Sequence, residues 1–385
     1  MNPKIFIATG TRAEFGLLKN LMEFIENDHS LELHIGVTGT HLSKKHGFTY
    51  KEIKSYRFKN IHKLEMPLEN DDPSYLVNSV GILIQKASKI FKKLKPDYVL
   101  LLGDRFEIFG LAFASTLFNI PIIHLHGGEI TEGAFDDQIR HAITKLSSYH
   151  LVANQIYKKR IIQMGEEPKR VFVTGGFGLD NLNKNLQPRK KLLKSINIIP
   201  SKKLVLVAYH PETVKGSDNV KNFNILLDVL SKFNKEQIVF STTNSDPGSQ
   251  EITKLYKNFI KHNSSFSQEL KTKNHYEFIS FLNAADVIIG NSSSGLLEAP
   301  TLKTPTINLG NRQKGRLLAD SVLSPQNNKS NILKVLEDVL YSDLTKSFSY
   351  KNPNGVPGAA KKAYSIIKKI VKSQYKTKTF HEIKF

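Results

Sequence analysis

Short apolar runs alternate with helix-length amphipathic stretches along this chain, and the alternation happens twice. "KIFIATG" leads into "FGLLKNLMEFIEN", whose apolar residues recur at helical spacing. Then come "LELHIGVTG", "VNSVGILIQKASKIFKKL", "DYVLLLG", "RFEIFGLAFASTLFN", "IPIIHLH", "DDQIRHAITKLSS", "YHLVA" and "RVFVTG". A strand as apolar as "DYVLLLG" is buried on both faces, which calls for helices on each side and parallel neighbours joined by crossovers. The glycine-rich "TGGFGLDN" and the basic, proline-bounded "LQPRKKLLKSINIIPSKK" interrupt the rhythm. It restarts with "KLVLVAYHP" and ends in the helical "GAAKKAYSIIKKIVKS". The expected fold is α/β, with two Rossmann-like doubly wound domains facing across a cleft. Residues 1–180 form the first, 181–360 the second, and 361–385 a closing helix returning to the first. Ligands of such sheets bind at the carboxyl ends of strands, so the cleft is the expected site.

A chain of 385 residues suits two domains. It has no cysteine, which removes disulfides and thiolate chemistry. The opening "MNPKIFIATGTRAEFG" does not read as a signal peptide. The longest apolar run, "IFGLAFASTLF", falls short of the roughly 18–20 residues of a membrane helix. A soluble, cytoplasmic protein without a membrane partner is expected. Basic residues exceed acidic ones by 55 to 35. The lysines are scattered, many on the polar faces of apolar helices, and neither zinc-finger spacing nor an aromatic–basic RNA-binding signature occurs. No nucleic-acid partner is expected, whereas a positive field favours anionic small ligands such as nucleotides.

The stretch Ile120 to Lys145 concentrates the chemistry. It brings His124, His126, Glu129, Glu132, Asp136, Asp137, Arg140 and His141 within eighteen residues of one strand end. In a strand, His124 and His126 would share a face. A metal site is the lesser reading, since neither H-x-x-E-H nor H-E-x-x-H is present. An acid/base cluster tuned by burial and mutual repulsion is the stronger one. Helix capping by Asp136, with Asp137 in the first turn and Arg140 paired nearby, accounts for one or two of these groups. "LLGDRFE" sets Asp104, Arg105 and Glu107 just past a buried strand, where Asp104 either caps the next helix or faces the cleft.

Four further stretches suit an anion. "ATGTRAEFG" offers backbone N–H groups and Arg12. "AYHPET" ends a strand at His210. In "IIGNSSSGLLEAP", Ser292, Ser293, Ser294 and Gly295 open a helix after a buried strand, with Glu298 one turn in; a serine cap needs only one hydroxyl. "NLGNRQKGR" adds Arg312, Lys314 and Arg316. There is no D-x-D, so arginines and helix dipoles would hold a diphosphate in place of a divalent ion. Neither a metal nor a cofactor is expected.

Together, "TRAEFG", "VTGTHL", "LGDRFE", "HGGE…DDQIRHAITK", "HPET", "GNSSSGLLEAP" and "INLGNRQKGR" resemble the hydrolysing UDP-N-acetylglucosamine 2-epimerases, over about the whole chain. These are enzymes of bacterial sialic- or legionaminic-acid pathways and the epimerase half of a bifunctional animal enzyme. The resemblance implies a glycosyltransferase-B-like fold and conversion of UDP-GlcNAc and water to UDP and N-acetylmannosamine through a glycal. It aligns Asp104, His126 and Asp136 with three acidic catalytic positions, the histidine replacing the glutamate of many relatives. Arg12, His210, Ser292, Ser293, Glu298 and Arg312 fall on nucleotide- and diphosphate-binding positions; Ser294 adjoins them, and Arg105, Glu129 and Arg140 are supporting candidates. A homodimer or homotetramer follows from the family. Competing readings are the same reaction on a nucleotide-linked 2,4-diacetamido-2,4,6-trideoxyglucose, a glycosyltransferase, a non-hydrolysing epimerase, and a basic nucleic-acid binder.

Overall fold

The computed structural model describes residues 2–45, 47–69, 72–130, 135–183, 186–212, 218–243, 248–272, 275–373 and 375–383. The chain divides into two compact units, Met1–Asp180 with Val356–Phe385, and Asn181–Gly355.

In the first unit, β1 (Lys4–Thr9), α1 (Arg12–Glu26), β2 (Glu32–Val37), α2 (Tyr50–Ser55), β3 (Ile61–Lys63) and α3 (Pro73–Leu94) come first. They are followed by β4 (Tyr98–Leu102), α4 (Phe106–Leu117), β5 (Ile122–Leu125), α5 (Phe135–Leu146), β6 (Tyr149–Val152), α6 (Gln155–Gln163) and β7 (Val171–Val173). All pairings are parallel, in the order β3-β2-β1-β4-β5-β6-β7. Every residue of β4, "YVLLL", is buried, because α3 and α4 cover one face while α1 and the returning C-terminal helix cover the other.

The second unit runs α7 (Arg189–Ser195), β8 (Leu204–Ala208), α8 (Asn219–Leu230), β9 (Gln237–Ser241), α9 (Ser249–His262), β10 (Ser267–Leu270) and α10 (His275–Ala284). It continues with β11 (Val287–Gly290), α11 (Ser294–Leu297), β12 (Thr306–Asn308), β13 (Val322–Leu323) and α12 (Lys329–Tyr341). Its parallel sheet has the order β10-β9-β8-β11-β12-β13. The chain then re-enters the first unit as α13 (Ala359–Lys372), whose Ala363, Ile367 and Ile370 join the core formed by α1, β1 and β2. Asp180, at the end of the first pass, accepts the backbone N–H groups of Gly358, Ala359 and Ala360 and so caps α13 from across the sequence. Among the described residues, no helix is long and apolar enough to cross a membrane.

The αβ rhythm read from sequence is present in both halves. Among the described residues, eight elements lie outside it: the helices α2, α6, α7, α10 and α12 and the strands β3, β10 and β13, of which the strands are short or polar.

Candidate active site

In each sheet the strand order reverses at one point, between β1 and β4 in the first unit and between β8 and β11 in the second. A doubly wound sheet opens a crevice at that point, beyond the carboxyl ends of the strands.

In the first unit, β1 ends at Thr9, Gly10 follows it, and Thr11 caps α1. The Thr11 hydroxyl accepts from Glu14 N at 3.2 Å, and Glu14 Oε2 accepts from the N–H groups of Gly10 at 2.6 Å and Thr11 at 3.2 Å. This is a capping box turned inward. Glu14 is buried, and burial together with the nearby Glu107 charge pushes its carboxyl up to about 8. Arg105 sits at the N-cap position of α4, with Nε donating to Glu107 Oε1 at 2.5 Å and lying 3.9 Å from Glu14 Oε1.

Asp104 does not cap α4. Its carboxylate accepts from Arg140 Nη2, while Arg140 Nη1 donates to the Glu129 carbonyl at 3.0 Å and to Asp137 Oδ1 at 3.3 Å. One buried guanidinium thus ties together the end of β4, the loop after β5 and the first turn of α5. Asp136, the second residue of α5, is half-buried; burial raises its proton affinity and the Arg105 charge opposes that rise. His141 Nε2 lies 3.4 Å from Asp137 Oδ2.

His124 and His126 do not share a sheet face. β5 stops at Leu125, and His126 turns into the left-handed region with φ +63°, a conformation that its contacts hold in place. Its Nε2 accepts from Phe177 N at 3.3 Å, so Nδ1 carries the hydrogen that meets Glu129 Oε1 at 2.6 Å. His124 remains in the core, where Nε2 donates to the Gly103 carbonyl at 2.9 Å and burial lowers its pKa to about 3. It is a structural, neutral histidine. Glu132 lies outside the described residues.

In the second unit, β8 and β11 meet so closely that a Cβ on Gly290, at φ +141°, would stand 2.2 Å from the Ala208 carbonyl oxygen. Asn291 N and Ser292 N both donate to that oxygen, at 3.0 and 3.1 Å. The fully buried Asn291 side chain brackets the His210 backbone, Oδ1 accepting from His210 N at 2.7 Å and Nδ2 donating to His210 O at 2.8 Å. Its own carbonyl receives Arg312 Nη1 at 3.2 Å and Gln313 Nε2 at 2.9 Å. Asn291 therefore fixes His210, Arg312 and the serine run with a single side chain and peptide.

The helix expected after those serines is a single turn, Ser294–Leu297. Ser293 occupies its N-cap position without making a side-chain cap bond, and Ser292 Oγ accepts from Ser294 N at 3.4 Å. Glu298 closes the turn in a buried position, which pushes its carboxyl up to about 7; its Oε2 has no hydrogen-bond partner.

The structure gathers Asp104, His126, Glu129, Asp137 and Arg140 in one network and sets Asp136 within reach of Arg105's charge. Arg12 joins neither centre: its exposed side chain pairs with Glu52 at 2.9 Å. Sequence reasoning did not single out Glu14, Asn291, Glu212 or Gln313. The capping signature "TRAE" marks Glu14 in retrospect. Asn291 and the buried Glu212, which accepts Asn311 N at 2.8 Å, carry no local signal. Among the described residues, no group of three histidines or carboxylates is arranged to hold a metal ion.

The model of the UDP-N-acetylglucosamine 2-epimerase family matches residues 23–368. The chain belongs to that family. A hydrolysing GDP/UDP-N,N′-diacetylbacillosamine 2-epimerase of Campylobacter jejuni is 40% identical over 326 residues, 84% of this chain and 85% of that one. A hydrolysing UDP-N,N′-diacetylbacillosamine 2-epimerase of Legionella pneumophila is 34% identical over 369 residues, 95% of this chain and 96% of its own. The crystal structure of the UDP-GlcNAc 2-epimerase of Neisseria meningitidis bound to UDP-GlcNAc superposes with a TM-score of 0.74 at 18% identity, covering 96% of this chain and 100% of that one. The fold is the glycosyltransferase-B-like one expected from sequence, and the family member described here is an enzyme, a hydrolysing nucleotide-sugar 2-epimerase.

Proposed function

We propose that the substrate is a UDP-linked 2,4-diacetamido-2,4,6-trideoxyglucose, N,N′-diacetylbacillosamine, converted with water to UDP and the free sugar inverted at C2. The observation that carries this choice of sugar is the name shared by relatives 40% and 34% identical over most of the chain. UDP-GlcNAc, expected first from sequence, becomes the second reading; the family description and the fold-level likeness to a UDP-GlcNAc complex support it.

In either case the bond changes are the same. A base takes the proton from C2 while the C1–O bond breaks and its electron pair leaves with the diphosphate, forming a C1=C2 double bond. Water then adds its oxygen to C1, and a proton is delivered to C2 on the opposite face. Inversion at C2 therefore needs proton-handling groups on both faces of the ring. We assign Asp136 to one, because burial raises its affinity for a proton, and His126 to the other, with Glu129 fixing the ring through Nδ1 and Nε2 exchanging its long bond from Phe177 N for the substrate proton. Asp104, ion-paired with Arg140, is assigned to stabilise the positive charge that grows at C1 as the diphosphate leaves. Arg105 is assigned to the diphosphate from the first unit, and Arg12 joins it only by leaving its surface pair with Glu52. His210, Ser292, Ser293, Ser294, Glu298 and Arg312 are assigned to the nucleotide from the second. A homo-oligomer is part of this reading.

The test is a proton NMR time course in D2O with each sugar nucleotide supplied separately. Release of UDP with deuterium at C2 of the free sugar is expected, with kcat/KM for the diacetamido substrate on the order of 100-fold above that for UDP-GlcNAc. Equal or reversed preference assigns the enzyme to UDP-GlcNAc, and retention of the nucleotide on the product removes the hydrolytic reading.

A further inference from the structure

Two carboxylates reach one arginine from two different helices. Glu107, in the first turn of α4, is wholly buried and accepts Arg105 Nε at 2.5 Å. Glu14, on α1, is held by two backbone N–H groups through Oε2 and has Oε1 3.9 Å from the same Nε. The second oxygen of Glu107 is buried without a hydrogen-bond partner. The surroundings leave the pair no slack: a Cβ on Gly10 would stand 2.6 Å from Glu107 Oε1, and one on Gly39, 3.3 Å.

We propose that Glu14 and Glu107 form a positioning pair for Arg105, holding its Nε side so that its terminal nitrogens receive the diphosphate of the nucleotide. The inference rests on the proposed function only in taking UDP as the ligand. It goes beyond that reading in assigning a task to two buried acids that would not themselves touch the substrate.

The charge balance explains how the pair works. One guanidinium cannot neutralise two buried carboxylates, and a proton on Glu14 removes the excess charge. Burial, then the Glu107 charge, raise Glu14 accordingly. Two other titratable groups lie in the surroundings of the pair among the described residues. Asp136 acts on Arg105 from α5. His41, on the turn after β2, bonds Thr9 Oγ1 at 3.0 Å and is kept uncharged by burial. While Glu14 holds its proton, Arg105 faces one negative charge and its outer edge is left to the ligand. Once the proton leaves, a second negative charge appears 3.9 Å from Nε, draws the guanidinium inward and lowers its pull on an external anion.

Calorimetric titration of the full chain with UDP from pH 7 to 9.5, above the range in which the terminal phosphate of UDP titrates, tests the pair directly. Affinity of the wild type is expected to fall about tenfold as pH rises through about 8, the value to which Glu14 is raised. Glu14→Gln, which cannot acquire the second charge, is expected to flatten that fall. Glu107→Gln is expected to weaken UDP about tenfold at pH 7.5 while unfolding remains cooperative. A flat wild-type profile, or an unchanged fall in Glu14→Gln, overturns the inference and leaves the proposed function standing. Failure of the wild type to bind UDP at any pH overturns both.

Discussion

Arg140 is the side chain on which the first unit's acidic groups converge, meeting Asp104, Asp137 and the carbonyl of Glu129 while almost wholly buried. A planar guanidinium can serve three acceptors in fixed directions; a lysine ammonium in its place cannot keep them in register. Arg140→Lys is therefore expected to lower kcat about 100-fold with a smaller change in KM, read from steady-state kinetics. Asp136→Asn, at the position proposed to handle a proton, should cost about 10²–10⁴ in kcat. Glu298 gives a pH prediction of its own. Burial raises its carboxyl from 4.5 to about 7, so the folded state binds the proton more tightly than the unfolded one. Its contribution to stability is full below pH 4.5 and lost as pH rises through 7, an effect on the order of 3 kcal/mol. Denaturant unfolding at pH 5 and pH 8 should register this loss in the wild type and a smaller one in Glu298→Gln.

At the scale of elements, the decisive contact is the meeting of β8 and β11. Gly290→Ala places a methyl group 2.2 Å from the Ala208 carbonyl oxygen at a φ no alanine favours. A loss of about 3 kcal/mol or more in chemical denaturation is expected, with no movement of either strand able to relieve it without breaking the ladder. A second element-level joint lies behind α5. Glu166 is buried, which alone would raise its pKa. Instead, hydrogen bonds from His150 at 3.1 Å and Lys145 at 2.6 Å, with Lys378 at 3.0 Å, hold it down to about 2. Lys378 also donates to the carbonyl of Lys145, in the last turn of α5, and to that of Ser147 just past it, so the C-terminal tail and the helix bearing Asp136 are one assembly. Glu166→Gln should destabilise by about 3 kcal/mol in thermal melts near neutral pH.

These joints also explain what could be read in the sequence. β1, β4, β5 and β8 announce themselves because both faces of each are buried, so their residues are almost all apolar, with Lys4 and Thr9 at the ends of β1 and the buried His124 in β5 as exceptions. β3 and β13 are edge strands of three and two residues, and β10 reads "SQEL"; a strand with one neighbour and partial burial has no such constraint on composition. At the site, the crowding of acids and histidines past β5 was legible. The separation of His124 from His126 was not, because it depends on one left-handed residue rather than on spacing. Asn291 was equally silent: its importance comes from being buried between two strand ends that are 81 residues apart in sequence.

For the whole molecule, the return of the chain matters most. α13 supplies Ala359, Ala363, Ile367 and Ile370 to the first unit's core, and Asp180 holds its first turn. Asp180→Ala is expected to cost about 1–2 kcal/mol, measured as a shift in the unfolding midpoint, because three N–H groups lose one acceptor. Removing residues 356–385 should leave the face of α1 exposed and the truncated chain prone to aggregation on expression. The same topology bears on synthesis. Residues 181–355 leave the ribosome as an unbroken block, whereas the first unit must wait for its last helix. The half of the protein that starts being made second is thus the half able to finish folding first. For as long as that block is being translated, the nascent chain carries an uncovered apolar surface at its leading end, where chaperones would find it.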